Sequence, residues 1–189
     1  PARRPTKTDA KALHNVRLAA ARGNPTGENK LAYLYFEGKG FAQDYATALH
    51  YYRLSAAQGN SWGENNLGAM YDKGDGIPQD YSTAVHYYQL AADQGNALAE
   101  SNLGFMYTQG HGVTQDFATA LNYYKLAADQ GNPFGDVNLG AAYELSRGVP
   151  QNHATALHYF QLSADPGNAY CQVLLRYLYA FGPRLPQAS

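Results

Sequence analysis

The sequence predicts an all-α protein, an α-solenoid built from 36-residue helix-turn-helix repeats. Three observations predict this fold. The pair Gly-Asn occurs five times at a constant spacing of 36 residues, from Gly23-Asn24 to Gly167-Asn168. The second and third full repeats carry the same residue at 21 of 36 positions. Apolar residues follow a helical period, and no segment shows the alternation typical of a strand.

Numbering each repeat from the residue after the asparagine divides the chain into an array with flanking segments. The array has a half repeat at each end. Between them lie four full repeats: 25–60, 61–96, 97–132 and 133–168. We expect three regions, which are a basic N-terminal arm, the solenoid and a tail: 1–9, 10–182 and 183–189.

Each repeat carries the end signals of two helices, as the second full repeat illustrates. Asn60 is a cap residue before the first helix, Gly74 is placed to end it, and Asp80 is placed to cap the second helix. Apolar stripes at positions 7, 10 and 11 and at positions 21, 24, 25, 28 and 32 predict the buried faces. Gly68 lies inside the first helix, where glycine costs about 1 kcal/mol relative to alanine. We therefore expect a neighbouring helix to pass directly over it.

Composition excludes several classes of protein. Apolar residues make up 45% and charged residues 15% of the chain, and the formal net charge is −1. This balance disfavours a disordered tail protein and nucleic acid as a partner. The sequence contains no run of 18 apolar residues, so it predicts no membrane-spanning helix. A lone cysteine, Cys171, excludes an internal disulfide.

The sequence predicts no catalytic residue, no metal site and no cofactor. Four histidines share repeat position 26 and are expected about 10 Å apart, too far to share one ion, so we interpret them as exposed: His14, His50, His86 and His158. His111 and His153 have no carboxylate or thiol partner that the sequence identifies. No nucleophile or phosphate-binding motif is present.

The pattern N-L-G-x-M-Y…G-x-G-V/I-x-Q-D-Y…A…Y-Y…A-A-x-Q-G-N resembles the Sel-1-like repeat, a relative of the tetratricopeptide repeat, over residues 10–182. The chain departs from the family by tyrosine at position 27, where tryptophan is common. In the fourth repeat, Ser146, Asn152, His153 and Pro166 replace Gly, Asp, Tyr and Gln, so we expect an altered loop there. The resemblance implies a right-handed α-solenoid. It also implies a non-enzymatic scaffold that binds a peptide or protein segment in a concave groove.

The resemblance also implies which residues line that groove, because positions 2, 5, 6 and 9 face it in the tetratricopeptide relatives. The partner-binding residues carried over by register are Asn29, Lys30, Tyr33, Trp62, Asn65, Asn66, Leu98, Asn102, Phe105, Phe134, Asn138 and Tyr177. Carboxamides suit the main chain of an extended peptide, and aromatic rings suit its side chains. Alternatively, the asparagines at position 6 hydrogen-bond to neighbouring helices, and both interpretations stay open.

Two further function classes follow from other features. In the segment 169–181, eleven of thirteen residues are apolar. We expect part of it to form a self-association patch that supports a homodimer: Leu174, Leu175, Tyr179 and Phe181. Some disulfide-rich bacterial members of the family are described as β-lactamases or penicillin binders. This chain lacks their cysteines and an S-x-x-K motif, which disfavours an enzyme.

Overall fold

The computed structural model describes residues 7–163, and within that range the chain forms nine α-helices and no strand. The predicted all-α fold of helix pairs is confirmed. The chain divides into two compact units, Pro1–Asn96 and Ala97–Ser189.

Within the described range, the N-terminal unit contains five helices: α1 (Lys7–Ala21), α2 (Pro25–Glu37), α3 (Tyr45–Ala57), α4 (Ser61–Lys73) and α5 (Tyr81–Ala92). The described part of the C-terminal unit contains four helices: α6 (Ala97–Gln109), α7 (Phe117–Asp129), α8 (Pro133–Glu144) and α9 (His153–Leu162). In each unit the even-numbered helices are the first helices of the repeats. Helix α1 begins inside the segment that the sequence assigned to the basic arm.

Side-chain caps begin the helices at the predicted residues. The Asn60 carboxamide oxygen accepts a hydrogen bond from the Gly63 amide at 2.9 Å, at the start of α4. The Asp80 carboxylate accepts one from the Thr83 amide at 3.1 Å, at the start of α5. Gly74 ends α4 with a φ of 75°, a left-handed conformation that glycine adopts without steric cost.

The second helix of a repeat passes directly over the glycine of the first, as predicted. A Cβ atom on Gly68 would lie 2.8 Å from the ring of Tyr88, and one on Gly104 would lie 2.5 Å from the ring of Tyr124. Real Cβ atoms essentially never approach another atom so closely. The missing side chain therefore makes room for a large ring that is almost completely buried, with Tyr88 only 1% exposed.

Position 31 is buried, although the predicted stripe omitted it. Ser55 is 0% exposed, and its hydroxyl donates a hydrogen bond to the Pro25 carbonyl at 2.8 Å. The same side chain lies against Gly63 of the next repeat, and Ala127 lies against Gly135 in the C-terminal unit. Position 31 therefore contacts the following first helix, a neighbour that the periodicity of one helix does not reveal.

The loop of the fourth repeat keeps the geometry of the other loops, so the expectation of an altered loop is wrong. Ser146 adopts a φ of 56°, in the left-handed region that glycine occupies in the other repeats. The Asn152 amide donates to the Tyr143 carbonyl at 3.0 Å, and the Asn152 carboxamide caps α9. The Nδ1 atom of His153 lies 2.8 Å from the Glu144 carboxylate, a partner that sequence analysis missed.

A buried carboxylate recurs at position 4 of the first helices. Glu64 is 4% exposed and accepts a hydrogen bond from the Gln94 side chain at 2.6 Å. The same pair recurs between equivalent residues: Glu28 with Gln58, and Glu100 with Gln130. Burial raises the pKa of Glu64, while the hydrogen bond from Gln94 and the nearby charge of His86 oppose the rise.

The raised pKa of Glu64 predicts a pH dependence of stability. The folded state holds the Glu64 proton more tightly than the unfolded state does. The free energy of unfolding should therefore fall as the pH rises from the ordinary value of 4.5 through the pKa of the folded protein. Urea unfolding across this range should show a smaller fall for Glu64→Gln and a larger fall for Gln94→Ala, which removes the stabilising donor. An unchanged pH dependence in Glu64→Gln would contradict the assignment.

Candidate partner-binding site

The predicted groove residues of the described chain all lie on the first helices, α2 and α4 in one unit and α6 and α8 in the other. We call the surface that they form in each unit its first-helix face. The two faces are described separately below. Tyr177 and the predicted self-association residues Leu174, Leu175, Tyr179 and Phe181 lie outside the described residues.

In the N-terminal unit, the asparagines are bonded to one another. The Asn66 side chain donates a hydrogen bond to the Asn29 carboxamide oxygen at 2.9 Å, which joins α4 to α2. Asn65 is only 1% exposed, and its side chain donates to the Asn66 oxygen at 3.3 Å. The prediction that Asn65 presents its carboxamide at the surface is therefore wrong. It lies beneath Asn66 and supports it.

Aromatic and cationic side chains surround these asparagines. Trp62 and Tyr33 are 55% and 43% exposed. The Lys39 ammonium donates a hydrogen bond to the Tyr33 hydroxyl at 2.8 Å and lies 4.8 Å from the centre of its ring. This hydrogen bond is the main reason that the pKa of Lys39 is raised. The Glu37 carboxylate lies 3.4 Å from the same ammonium and offsets its charge. With Lys30 also exposed, the N-terminal first-helix face carries cationic side chains beside its aromatic rings.

In the C-terminal unit, the first-helix face contains a pocket of about 390 Å³ between α6 and α8. It brings together five predicted groove residues with two others: Leu98, Asn102, Phe105, Phe134 and Asn138, with Ser101 and Val137. Both phenylalanine side chains are open to solvent, Phe105 being 42% and Phe134 57% exposed. Exposed aromatic rings around a concave pocket are typical of a surface that binds another molecule.

Local sequence fixes where the two rings lie. Phe134 follows Pro133 at the start of α8, and its amide donates a hydrogen bond to the Asn132 cap at 2.9 Å. Phe105 lies in the middle of α6 and meets the edge of the His111 ring, with 6.2 Å between ring centres. Sequence analysis left His111 without a role. The loop between α6 and α7 carries it back to the pocket wall, and no motif marks that contact.

Asn138 differs from its counterpart in the N-terminal unit. Asn66 bonds to Asn29, whereas Asn138 makes no hydrogen bond through its side chain within the described part of the chain. Asn138 is half-buried and lines the pocket between α6 and α8. It also lines a second, smaller cavity of about 30 Å³ beside Thr108 and Tyr124. A carboxamide with two donors and one acceptor is therefore available at the pocket.

A second set of exposed apolar side chains lies on the odd-numbered helices, and none of them lines the pocket. Every one of these helices carries a leucine at repeat position 30, between 38% and 59% exposed: Leu18, Leu54, Leu90, Leu126 and Leu162. Sequence analysis did not single them out, although the same residue in every repeat was a usable signal. They provide matched controls for tests of the first-helix face.

The described residues contain neither a candidate metal site nor a candidate membrane-spanning helix. No group of three or more histidine, cysteine, aspartate or glutamate residues among them is placed to hold a metal ion. The position-26 histidines are exposed, as predicted: His14, His50, His86 and His158. None of the described helices combines the length and apolar character needed to cross a membrane.

Comparison with known proteins places the repeats in a defined family. The Sel1 repeat model matches four segments, 25–60, 63–96, 97–132 and 135–168. A comparison with curated protein sequences returns no match.

Three solved structures illustrate the likeness. A protective antigen present in uropathogenic Escherichia coli strains, displaying an SLR fold, is 35% identical with a TM-score of 0.79, and the match covers 90% of this chain and 36% of the antigen. A Sel1 repeat protein from Oxalobacter formigenes is 31% identical with a TM-score of 0.81, over 91% and 70% of the two chains. An immunity protein from Pseudomonas aeruginosa is 28% identical with a TM-score of 0.65, over 93% and 64%. The present chain thus spans little more than a third of the E. coli antigen.

The two asparagines at position 6 should differ in their effect on stability. Asn66→Ala removes a hydrogen bond between two helices and should lower the free energy of unfolding by about 0.5–1.5 kcal/mol. Asn138→Ala removes no such bond and should change it by less than about 0.5 kcal/mol. Chemical denaturation of both variants measures the difference. Equal losses would show that Asn138 has a structural role after all.

Proposed function

Because the chain belongs to the Sel1 repeat family, whose members are generally protein-interaction scaffolds, we propose that it binds a peptide or protein segment on its first-helix face. The proposed role is non-enzymatic. The observation that carries the proposal is the pocket of the C-terminal unit. In this pocket two exposed phenylalanines accompany Asn138, whose side chain makes no hydrogen bond among residues 7–163.

The chemistry of the pocket suits a polypeptide. An extended peptide presents unpaired N–H and C=O groups along its main chain, and a carboxamide can donate to one and accept from the other. Asn138 supplies such a group at the pocket. Phe105 and Phe134 supply apolar area that is in contact with water in the free protein. Covering aromatic side chains of this kind often provides a large share of the affinity of an interface.

Self-association is a separate proposal that rests on the sequence alone. The apolar residues Leu174, Leu175, Tyr179 and Phe181 would form its contact surface between two copies. The division into a basic arm at 1–9, a solenoid at 10–182 and a tail at 183–189 likewise stays a prediction.

Peptide selection from a displayed random library tests the proposed function. Peptides selected on the full chain should bind Phe134→Ala at least about tenfold more weakly, because the variant removes a central aromatic contact. The matched control is Leu126→Ala, which truncates a similarly exposed apolar side chain on α7 of the same unit. This control should bind the selected peptides as tightly as the unchanged chain.

The reverse pattern would contradict the proposal. Peptides that lose affinity for Leu126→Ala and keep it for Phe134→Ala would place recognition on the second helices. Selection that yields no peptide above background would count against peptide binding altogether. Circular dichroism of both variants separates a lost contact from a lost fold.

A further inference from the structure

The C-terminal pocket carries a more specific inference, which rests on the proposed function. We infer that the pocket between α6 and α8 accepts one large, uncharged apolar side chain of an extended partner peptide, with Asn138 binding the main chain beside it. The partner is therefore identified by its chemistry, as a segment with an exposed leucine-like or phenylalanine-like residue.

The lining of the pocket contains no ionisable side chain. Its seven residues comprise four apolar side chains, two carboxamides and the hydroxyl of Ser101. A charged side chain entering the pocket loses part of its hydration, and the lining offers it no oppositely charged partner. The volume of about 390 Å³ lies near the lower end of the range of about 300–1,000 Å³ for small-ligand sites, so the pocket suits one side chain better than a folded surface.

The charges of the two helices also disfavour an acidic ligand. Helices α6 and α8 carry three carboxylates, Glu100, Asp136 and Glu144, and no lysine or arginine. Glu100 and Asp136 directly precede the lining residues Ser101 and Val137 along the chain. Arg147 lines the smaller cavity that also touches Asn138, but it does not line this pocket. A carboxylate or phosphate placed in the pocket would therefore meet negative charge and no lining cation.

The two phenylalanines come from different helices and give the pocket its apolar walls. Phe105 belongs to α6, where it contacts the His111 ring, and Phe134 belongs to α8. A side chain inserted between these helices would shield from water two rings that are each more than 40% exposed in the free protein. Because Asn138 lines the same pocket, one residue of a peptide can reach the rings with its side chain and Asn138 with its main chain.

The N-terminal unit provides a natural contrast at equivalent positions. Lys30 stands where the pocket has Asn102, and Asn66, the counterpart of Asn138, already bonds to Asn29. A cation and an internally bonded asparagine make that face a poorer match for an apolar residue and an unpaired main chain. The selectivity is therefore inferred for the C-terminal unit.

A peptide series that varies one side chain tests the inference. Blocked pentapeptides Ala-Ala-X-Ala-Ala keep the main chain constant while X is Leu, Phe, Ala, Asp or Lys. NMR titration of the full chain should give affinities for X = Leu or Phe at least about tenfold above those for X = Ala, Asp or Lys. The signals of the Asn138 side-chain amide and of residues around Phe105 should shift with the tighter peptides.

Two variants locate the effect. Phe134→Ala should remove most of the preference for Leu and Phe, whereas Trp62→Ala, an aromatic truncation on the N-terminal first-helix face, should leave it unchanged. Asp or Lys binding as tightly as Leu would overturn the inferred selectivity. So would shifts confined to α2 and α4, or the absence of a saturable shift with X = Leu up to millimolar concentration.

The outcome is distinguishable from failure of the proposed function. If peptides selected from the displayed library depend on Phe134 but the pentapeptide series shows no apolar preference, peptide binding stands and the inferred side-chain class is wrong. If the selected peptides also ignore Phe134, both proposals fall.

Discussion

The close approach of the two helices in a repeat is the contact on which the remaining structure depends. An aromatic ring of the second helix lies too close to a glycine of the first helix to leave room for a Cβ atom. Such an atom would lie 2.5 Å from the Tyr124 ring on Gly104 and 2.7 Å from the Phe160 ring on Gly140. The side of the first helix that carries the glycine is therefore buried in the core. In the first full repeat, alanine takes the glycine position, and Ala32 is completely buried in one core cluster with Tyr52.

This contact also determines what the first helix can offer to a partner. Leu103 is 0% exposed beside Gly104, whereas Phe105, the next residue, is 42% exposed. One helix thus supplies both a core residue and a wall of the pocket, with the glycine between them. Phe134 and Asn138 project from α8 in the same way, so the pocket exists because two first helices in the C-terminal unit lie next to each other. The pocket residues are held by core packing rather than by a flexible loop.

Much of this arrangement could be predicted from the sequence. The same residue type recurs at the same position in several repeats, which fixes helix ends that a single helix pattern would leave uncertain. The caps at Asn60 and Asp80 and the helix passing over Gly68 follow from residue type and position alone. Residue type alone did not predict the backbone at Ser146. The hydrogen bonds of the surrounding loop keep this serine in the left-handed conformation that glycine adopts in the other repeats.

The parts that the sequence did not predict depend on distances between helices. The register carried over from the tetratricopeptide relatives assigned Asn65 to the groove, but the structure buries its side chain beneath Asn66. That register could not distinguish Asn66, which bonds to Asn29, from Asn138, whose side chain makes no hydrogen bond to another described residue. The contact of His111 with Phe105 requires the path of the loop between α6 and α7. Such contacts join residues whose relation is set by packing and not by spacing along the chain.

The most direct test of the account is the stability of Gly104→Ala, measured by chemical denaturation beside the converse substitution Ala32→Gly. Helix propensity alone favours Gly104→Ala by about 1 kcal/mol. The close approach of Tyr124 should outweigh that gain, and overpacking should lower the free energy of unfolding by about 1–3 kcal/mol. Ala32→Gly should also be destabilising, because it removes a buried methyl group. A Gly104→Ala variant as stable as the unchanged chain, or more stable, would contradict the close approach on which the rest of the structure depends.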